Sequence, residues 1–305
     1  MSLADRAVLR AYQRAASAAQ TLPAPAARAM ARGLVLPAGA AMVERRRMVA
    51  RHQRRVRPEL DGVRLQRAVG RVFESYAEYW VESFRLPRMT RSDLAVGMEA
   101  HGVDHLDDAL QKGNGIIAVM PHLGGWDYGG AYLASLGYPV TVVAERVDPP
   151  ELFDWFVELR AALDVTVVPL DENAGRASLA VLRRNEILGL ISDRDIGRGG
   201  VEVDFFGERT TLPAGPATLA LRTGAAIVPV AVYFNRDPGH LGIVEPPLDV
   251  ERRGRLREDV ARVTQQVAHA LERLIRRHPE QWHLMQPNWP SDRTPDRTAR
   301  RRRRA

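Results

Sequence analysis

Residues Gly115-Ile-Ile-Ala-Val-Met-Pro-His-Leu-Gly-Gly-Trp-Asp127 decide how the chain is read. The apolar run from Ile116 to Met120 is bounded by Gly115 and Pro121, the pattern of a short buried strand. His122 then sits at the carboxyl end of that strand, where open α/β sheets place their ligands. Gly124 and Gly125 allow backbone angles that a side chain would forbid, so the chain can turn tightly beside a substrate. Asp127 follows and either caps the next helix or folds back onto His122.

Outward from this corner, helix and strand patterns alternate. Asp127 to Leu136 reads as a helix and Val140 to Ala144 as a strand. A helix starting at Pro149-Pro-Glu runs to about Leu163, since proline suits a first turn. Val165 to Val168 is a strand, Ala177 to Arg184 a helix, and Ile187 to Ile191 a strand. Gly200 to Phe206 is extended, Pro216 to Thr223 helical, and Ala226 to Phe234 a long strand. Leu241 to Val244 is the last strand and Arg257 to Arg277 the last helix. Such alternation predicts an α/β fold: one domain with a mostly parallel central sheet covered by helices on both faces. Before the corner, Ser92 to Gly113 holds a strand-like patch and a helix over Val103 to Leu110.

The first hundred residues are helical in pattern. Ser2 to about Gln20 forms one helix, broken at Leu22-Pro-Ala-Pro25; Ala26 to Pro37 and Met42 to Val56 form two more. Leu65 to Phe84 is strongly amphipathic, with Val69, Val72, Phe73, Tyr76, Tyr79, Trp80 and Phe84 near one face. Those aromatics suit either core packing or the wall of an apolar groove. The organisation expected is a helical, membrane-associating region over 1–100 within the same domain, an α/β core over 101–290, and a basic disordered tail over 291–305.

The 305 residues, 45% hydrophobic, suffice for a large core. The absence of cysteine excludes disulfides, thiolate metal sites and cysteine nucleophiles. The formal charge of +7 favours a polyanionic partner, nucleic acid or an anionic membrane. Much of the excess lies in Arg300 to Arg304, and short polybasic segments gain roughly 1 kcal/mol per residue at an anionic lipid surface. A helix on the membrane surface needs the kind of basic amphipathic pattern seen near the N-terminus. No stretch has the about 20 apolar residues that crossing a bilayer needs. Neither zinc-finger nor RNP-type motifs occur, and no aromatics interleave with the basic runs, so nucleic acid is not expected.

His122 and Asp127 lie five apart, off a shared helix face, so they meet only across a turn. No Gly-x-Ser-x-Gly elbow accompanies them. A histidine without a protein nucleophile is suited to general-base activation of a substrate hydroxyl, or is simply a structural residue at a strand end. The close His/Glu pairing usual at metal sites is absent, so no metal is expected. Arg194 is read as held by its neighbours Asp193 and Asp195. His101, His105, His240, His269, His278 and His283 are read as surface or capping residues.

The His-x-x-x-x-Asp pattern after an apolar strand resembles the glycerolipid and lysophospholipid acyltransferases, and the longer match resembles their lipid A lauroyl/myristoyl acyltransferase branch. Ala144-Glu-Arg146, Ser192-Asp-Arg-Asp195, Gly200 to Gly207 with Pro213-Ala-Gly-Pro216, Ala220 to Pro229 and His278-Pro-Glu-Gln-Trp282 carry it in order. Asp127 and the Val-Glu-Val-Asp-Phe-Phe wording are most similar to actinobacterial phosphatidylinositol mannoside acyltransferases. The resemblance implies transfer of a fatty acyl chain from acyl-CoA, as co-substrate and without a further cofactor, to a sugar hydroxyl of a membrane glycolipid. It implies His122 as base, Asp127 holding the imidazole, and oxyanion donors among the backbone amides near Gly124 and Gly125. By spacing it places substrate-binding roles on Glu145, Arg160 and Glu202, with Asp204 and Glu208 as alternatives to the last. The setting implied is the cytoplasmic face of the membrane, with Leu65–Phe84, Trp126 and Phe205-Phe206 lining an acyl groove. Two other readings remain: a related acyltransferase for a different lipid acceptor, or a non-catalytic basic protein binding lipid or nucleic acid.

Overall fold

The computed structural model describes residues 2–197, 199–235 and 239–293. The strand predicted at the corner is β2 (Ile116–Met120), fully buried except at its last residue. Its neighbours are β8 (Ala226–Phe234) on one side and β5 (Ile187–Ile191) on the other, both parallel to it. Beyond β5 lie β3 (Val140–Ala144) and β4 (Val165–Pro169); beyond β8 lie β9 (His240–Val244) and β1 (Met98–His101). The order is β1-β9-β8-β2-β5-β3-β4, and within this sheet only β8 and β9 run antiparallel. Strands β2, β3, β5 and β8 have the expected bounds, because each is a mostly apolar run that stops at a polar residue, glycine or proline.

Helices cover both faces, as the alternation predicts. On one side α6 (Asp104–Leu110) and α7 (Trp126–Ser135) pack on the side chains of Ile116, Ala118, Val140 and Val165. On the other, α9 (Ala174–Arg183), α10 (Gly215–Thr223) and α11 (Leu256–Arg277) cover Ile117, Val119, Leu188 and Ile227. Successive strand residues point to opposite faces, which is why the two cores divide β2 between them. Helix α11 buries Val263, Val267, Leu271, Leu274 and Ile275. Each such side chain contributes about 1.5–3 kcal/mol relative to exposure, so this one stripe anchors the helix.

Four N-terminal helices follow the expected pattern: α1 (Leu3–Thr21), α2 (Ala24–Ala41), α3 (Val43–Val56) and α4 (Gly62–Arg85). Pro25 falls in the first turn of α2, where its missing N–H is not needed. The aromatic stripe of α4 divides. Phe73 packs with Val49, Val69, Val72 and Met285, and Phe84 packs against α1, while Tyr79 and Trp80 reach the central cavity.

The structure departs from the sequence reading in several places. Arg91–Val96 forms α5, with Thr90 and Asp93 making a reciprocal capping box that the reading passed over. The extended stretch after Gly200 is half of an antiparallel hairpin, β6 (Val201–Phe205) and β7 (Glu208–Leu212), separate from the main sheet. Phe205 and Phe206 pack with Trp282 and Trp289 in the core and do not line a groove. Residues 290–293 are ordered: Pro290–Asp292 is a 3-10 turn whose Asp292 is buried and pairs with His52 and Arg55. The rest of the expected tail, 294–305, lies outside the described residues.

Candidate active site

Parallel pairing positions the site. Met120 is opposite Ile191, so one register step beyond the strands Pro121 faces Ser192, and at the next His122 faces Asp193. The side chains meet: His122 Nδ1 is 2.6 Å from Asp193 Oδ1, and the His122 amide donates to Asp193 Oδ2 at 3.1 Å. Trp282 Nε1 donates to the same Oδ2 at 2.7 Å, and Asn288 Nδ2 to the Asp193 carbonyl at 2.9 Å. Asp193 is fully buried. Burial opposes its charge most strongly, but the adjoining His122 and the donors from His122 and Trp282 prevail and hold its carboxyl below the usual range. A carboxylate only accepts, so Nδ1 carries a proton, and in the neutral ring the lone pair is then on Nε2.

The corner itself is clamped. Gly124 has φ of 60°, and a Cβ there would lie 2.0 Å from the Val232 carbonyl oxygen, so only glycine fits. The Gly124 amide donates to the Gln281 carbonyl and the Gly125 amide to the Val232 carbonyl. These two amides are therefore committed within the fold, and the expected oxyanion role does not match their geometry. Across the turn the His283 amide donates to the His122 carbonyl at 2.7 Å.

Asp127 is in the first turn of α7 and its carboxylate is engaged by residues other than His122. Arg160 Nε and Nη2 donate to its two oxygens at 2.9 and 3.2 Å, Tyr79 Oη to Oδ2 at 2.8 Å, and Ser83 Oγ to Oδ2 at 3.2 Å. The expectation that Asp127 holds the imidazole is thus corrected: Asp193 holds it, and Asp127 ties α4 and α7 to Arg160 on α8 (Pro150–Ala161). Desolvation acts to lower the Arg160 pKa, but the Asp127 charge overrides it and raises it. The Tyr79 hydroxyl is pushed up, by burial first and by Asp127 second.

His122, Asp127, Glu145 and Arg160 all line one cavity of about 1180 Å³, which opens at the carboxyl ends of β2, β3 and β5. Glu145 is paired with Arg194 at 2.5 Å, so Arg194 is held by this residue and not by Asp193 or Asp195. Glu202 does not join them: it sits exposed on the β6–β7 hairpin, paired with Arg209 at 2.9 Å. The alternatives Asp204 and Glu208 are also on that hairpin, and Glu208 binds Arg55. The cavity wall is overwhelmingly apolar. Between α7 and the sheet it runs past Ala118, Met120, Gly129, Leu133, Val142 and Gly189. Trp126 belongs to this wall as well, stacked on Tyr79 at 3.9 Å between ring centres.

Two histidines read as surface or capping residues are buried. His240 faces Glu82 at 2.6 Å and stacks on Tyr128. His283 accepts or donates at Ser75 Oγ, 2.9 Å away, and its pKa is pushed down to about 3, chiefly by burial and then by the neighbouring His122. Among the described residues no three His, Cys, Asp or Glu side chains converge to hold a metal ion.

The sequence matches the family described as bacterial lipid A biosynthesis acyltransferase over residues 8–291. The chain belongs to that family. Members carry acyl transfer as their named activity, so this protein is an acyltransferase, and the strand-end histidine lies in the segment matched. It is 40% identical over 230 residues to a phosphatidylinositol mannoside acyltransferase of Mycolicibacterium smegmatis, covering 74% of this chain and 73% of the relative. Identity is 41% over 235 residues, 75% and 72% of the two chains, to a protein of the same name from Mycobacterium tuberculosis. A lipid A biosynthesis acyltransferase of Haemophilus influenzae is 26% identical over 178 residues, covering 57% and 55%.

Proposed function

We propose that the protein moves a fatty acyl chain from acyl-CoA to a sugar hydroxyl of a phosphatidylinositol mannoside. The observation that carries the reading is the His122–Asp193 pair at the mouth of a deep apolar cavity. An acyl chain buried between α7 and the sheet brings its thioester to the strand ends. His122 Nε2 removes the acceptor hydroxyl proton as that oxygen attacks the carbonyl carbon. Asp193 keeps the ring oriented and stabilises the imidazolium. The tetrahedral intermediate collapses with loss of the thiolate, which takes the proton from Nε2, giving an ester and free CoA. General-base assistance of this kind contributes about 10²–10⁴-fold.

In this reading Arg160 contacts the acceptor's phosphate through N–H groups not used by Asp127, a task for which its planar fork is suited. Glu145 acts at the rim through Arg194. The relatives' names support the mannoside acceptor. Peripheral attachment at the cytoplasmic face of an anionic membrane follows from the acceptor and from the exposed surface of the N-terminal helices. There Leu3, Val8, Met30, Leu34, Met42 and Val43 stand in solvent among arginines. No helix among the described residues is long and apolar enough to cross a membrane.

The test is release of free CoA from palmitoyl-CoA on addition of phosphatidylinositol mannosides. Acceptor-dependent release that His122→Ala removes supports the reading. Absence of release with every mannoside ends the acceptor assignment, and undiminished release by His122→Ala ends the mechanism.

A further inference from the structure

The cavity does not stop at the α7 face. It passes over the carboxyl ends of the strands and continues on the opposite side of the sheet, between α9 and α10. There Gly175 and Leu179 of α9 face Thr218 and Leu219 of α10. An apolar chain under α7 has no use for this second arm, and its charges differ from those of the first. Three arginines line it: Arg194 at the strand end, Arg176 in the first turn of α9, and Arg222 in the last turn of α10. Two carboxylates accompany them. Glu145 is answered by Arg194, and Asp195 Oδ2 by the Gly200 amide at 2.8 Å. That leaves Arg176 and Arg222 with neither an ion pair nor a hydrogen bond among the described residues. Arg194 is largely buried, yet its Nε has no partner there either. By contrast, the arginine of the α7 side, Arg160, has a carboxylate on two of its nitrogens.

Arg176 and Arg222 are exposed and Arg194 is largely buried; lining a wall continuous with the reaction site, the three are placed to meet an anionic ligand with more than one charge, and arginine is the side chain best shaped for phosphate oxygens. We propose that the α9–α10 arm holds the phosphate-bearing end of the coenzyme A thioester, with Arg176 and Arg222 contacting its phosphates and Arg194 Nε the part nearest the thioester. This assignment rests on the acyl-CoA reading given above. It fits the connectivity of that donor. The acyl chain and the phosphates lie at opposite ends of the molecule, with the thioester between them, as the two arms lie on opposite faces with His122 between them. The acceptor's single phosphodiester then remains with Arg160 on the other side.

The experiment compares two donors that share a palmitoyl thioester: palmitoyl-CoA, and palmitoyl-N-acetylcysteamine, which has no phosphate. Steady-state kinetics are measured for the unsubstituted protein and for the Arg176→Gln/Arg222→Gln double variant, with each donor varied at saturating acceptor and the acceptor varied at saturating palmitoyl-CoA. The expected result is a KM for palmitoyl-CoA raised at least tenfold by the double substitution, with the KM for the phosphate-free thioester moved less than twofold. An unchanged KM for palmitoyl-CoA overturns the proposal, and so does an equal rise for both donors, which marks a general structural defect. A rise in the KM for the mannoside acceptor alone overturns it in favour of acceptor binding in this arm. Failure of the unsubstituted protein to use either thioester strikes the donor reading itself, whereas normal turnover by the double variant strikes only this assignment.

Discussion

Trp282 Nε1 lies 2.7 Å from Asp193 Oδ2, on the side of the carboxylate turned away from His122 Nδ1. A buried carboxylate needs such donors to stay ionised. Trp282→Phe keeps a ring in the core and deletes the donor, so the Asp193 pKa rises. The carboxylate then holds the imidazole less firmly and stabilises the imidazolium less. We expect kcat to fall by about tenfold, equivalent to about 1.4 kcal/mol in the barrier, with KM little changed. A purely structural role for Trp282 would instead lower the melting temperature and leave kcat unchanged.

The two aspartates near the corner are expected to fail in different ways. Asp193→Asn removes the charge that stabilises the imidazolium and should lower kcat by about 10²–10⁴-fold. Asp127→Asn instead strips the counter-charge from Arg160, whose side chain is only 17% exposed. Breaking a largely buried pair on one side costs about 3 kcal/mol, so thermal unfolding should shift to lower temperature. Asp193→Asn is expected to leave the melting temperature closer to its original value. Equal loss of kcat in both variants would contradict this division of labour.

The groove's width is set in part by Gly189 on β5. A Cβ there would meet Val142 Cγ1 at 3.1 Å and Met120 Cε at 3.6 Å, both part of the cavity wall. Gly189→Val should therefore narrow the arm under α7 and exclude long chains. In a series of acyl-CoA donors, kcat/KM for palmitoyl should drop at least tenfold relative to that for octanoyl. A uniform drop across all lengths would mean that Gly189 does not border the acyl path.

His283 links stability to pH. Its folded pKa is pushed down to about 3, whereas an unfolded histidine titrates near 6.5. Between these values the unfolded chain binds a proton that the folded protein refuses, so stability falls as pH drops through this window and levels off below about 3. The slope approaches about 1.4 kcal/mol per pH unit from this residue alone. Denaturant titrations of His283→Phe at pH 4 to 7 should show a shallower slope than the unsubstituted protein, and identical slopes would exclude the linkage.

Much of the fold was legible because its strands are short, mostly apolar runs bounded by polar, glycine or proline residues. β2, β3 and β5 could be placed to the residue for that reason. The β6–β7 hairpin was only half visible, since Arg209 and the threonines of β7 give no apolar run. The site was legible at His122 and less so at its partner. Asp193 was in view as part of Ser192-Asp-Arg-Asp195, but its role depends on β2 and β5 being neighbours in a particular register. Sequence spacing favoured Asp127, which is near in the chain and pointed elsewhere by the helix it begins. His240 and His283 were misread because their burial comes from distant elements, α4 in both cases.

The clamp on the corner comes from the last described stretch of the chain. Gln281, Trp282, His283 and Asn288 supply bonds to Gly124, Asp193 and His122, and Asp292 fastens that stretch to His52 of α3. Synthesis completes the whole sheet before it reaches these residues. Truncation before Gln281 should therefore remove the donors that hold Asp193 and the corner together with Trp282, Leu284 and Trp289 of the core, lowering the melting temperature as well as abolishing transfer. The acid at the end of β5 is thus held ready by a donor that lies 89 residues later in the sequence.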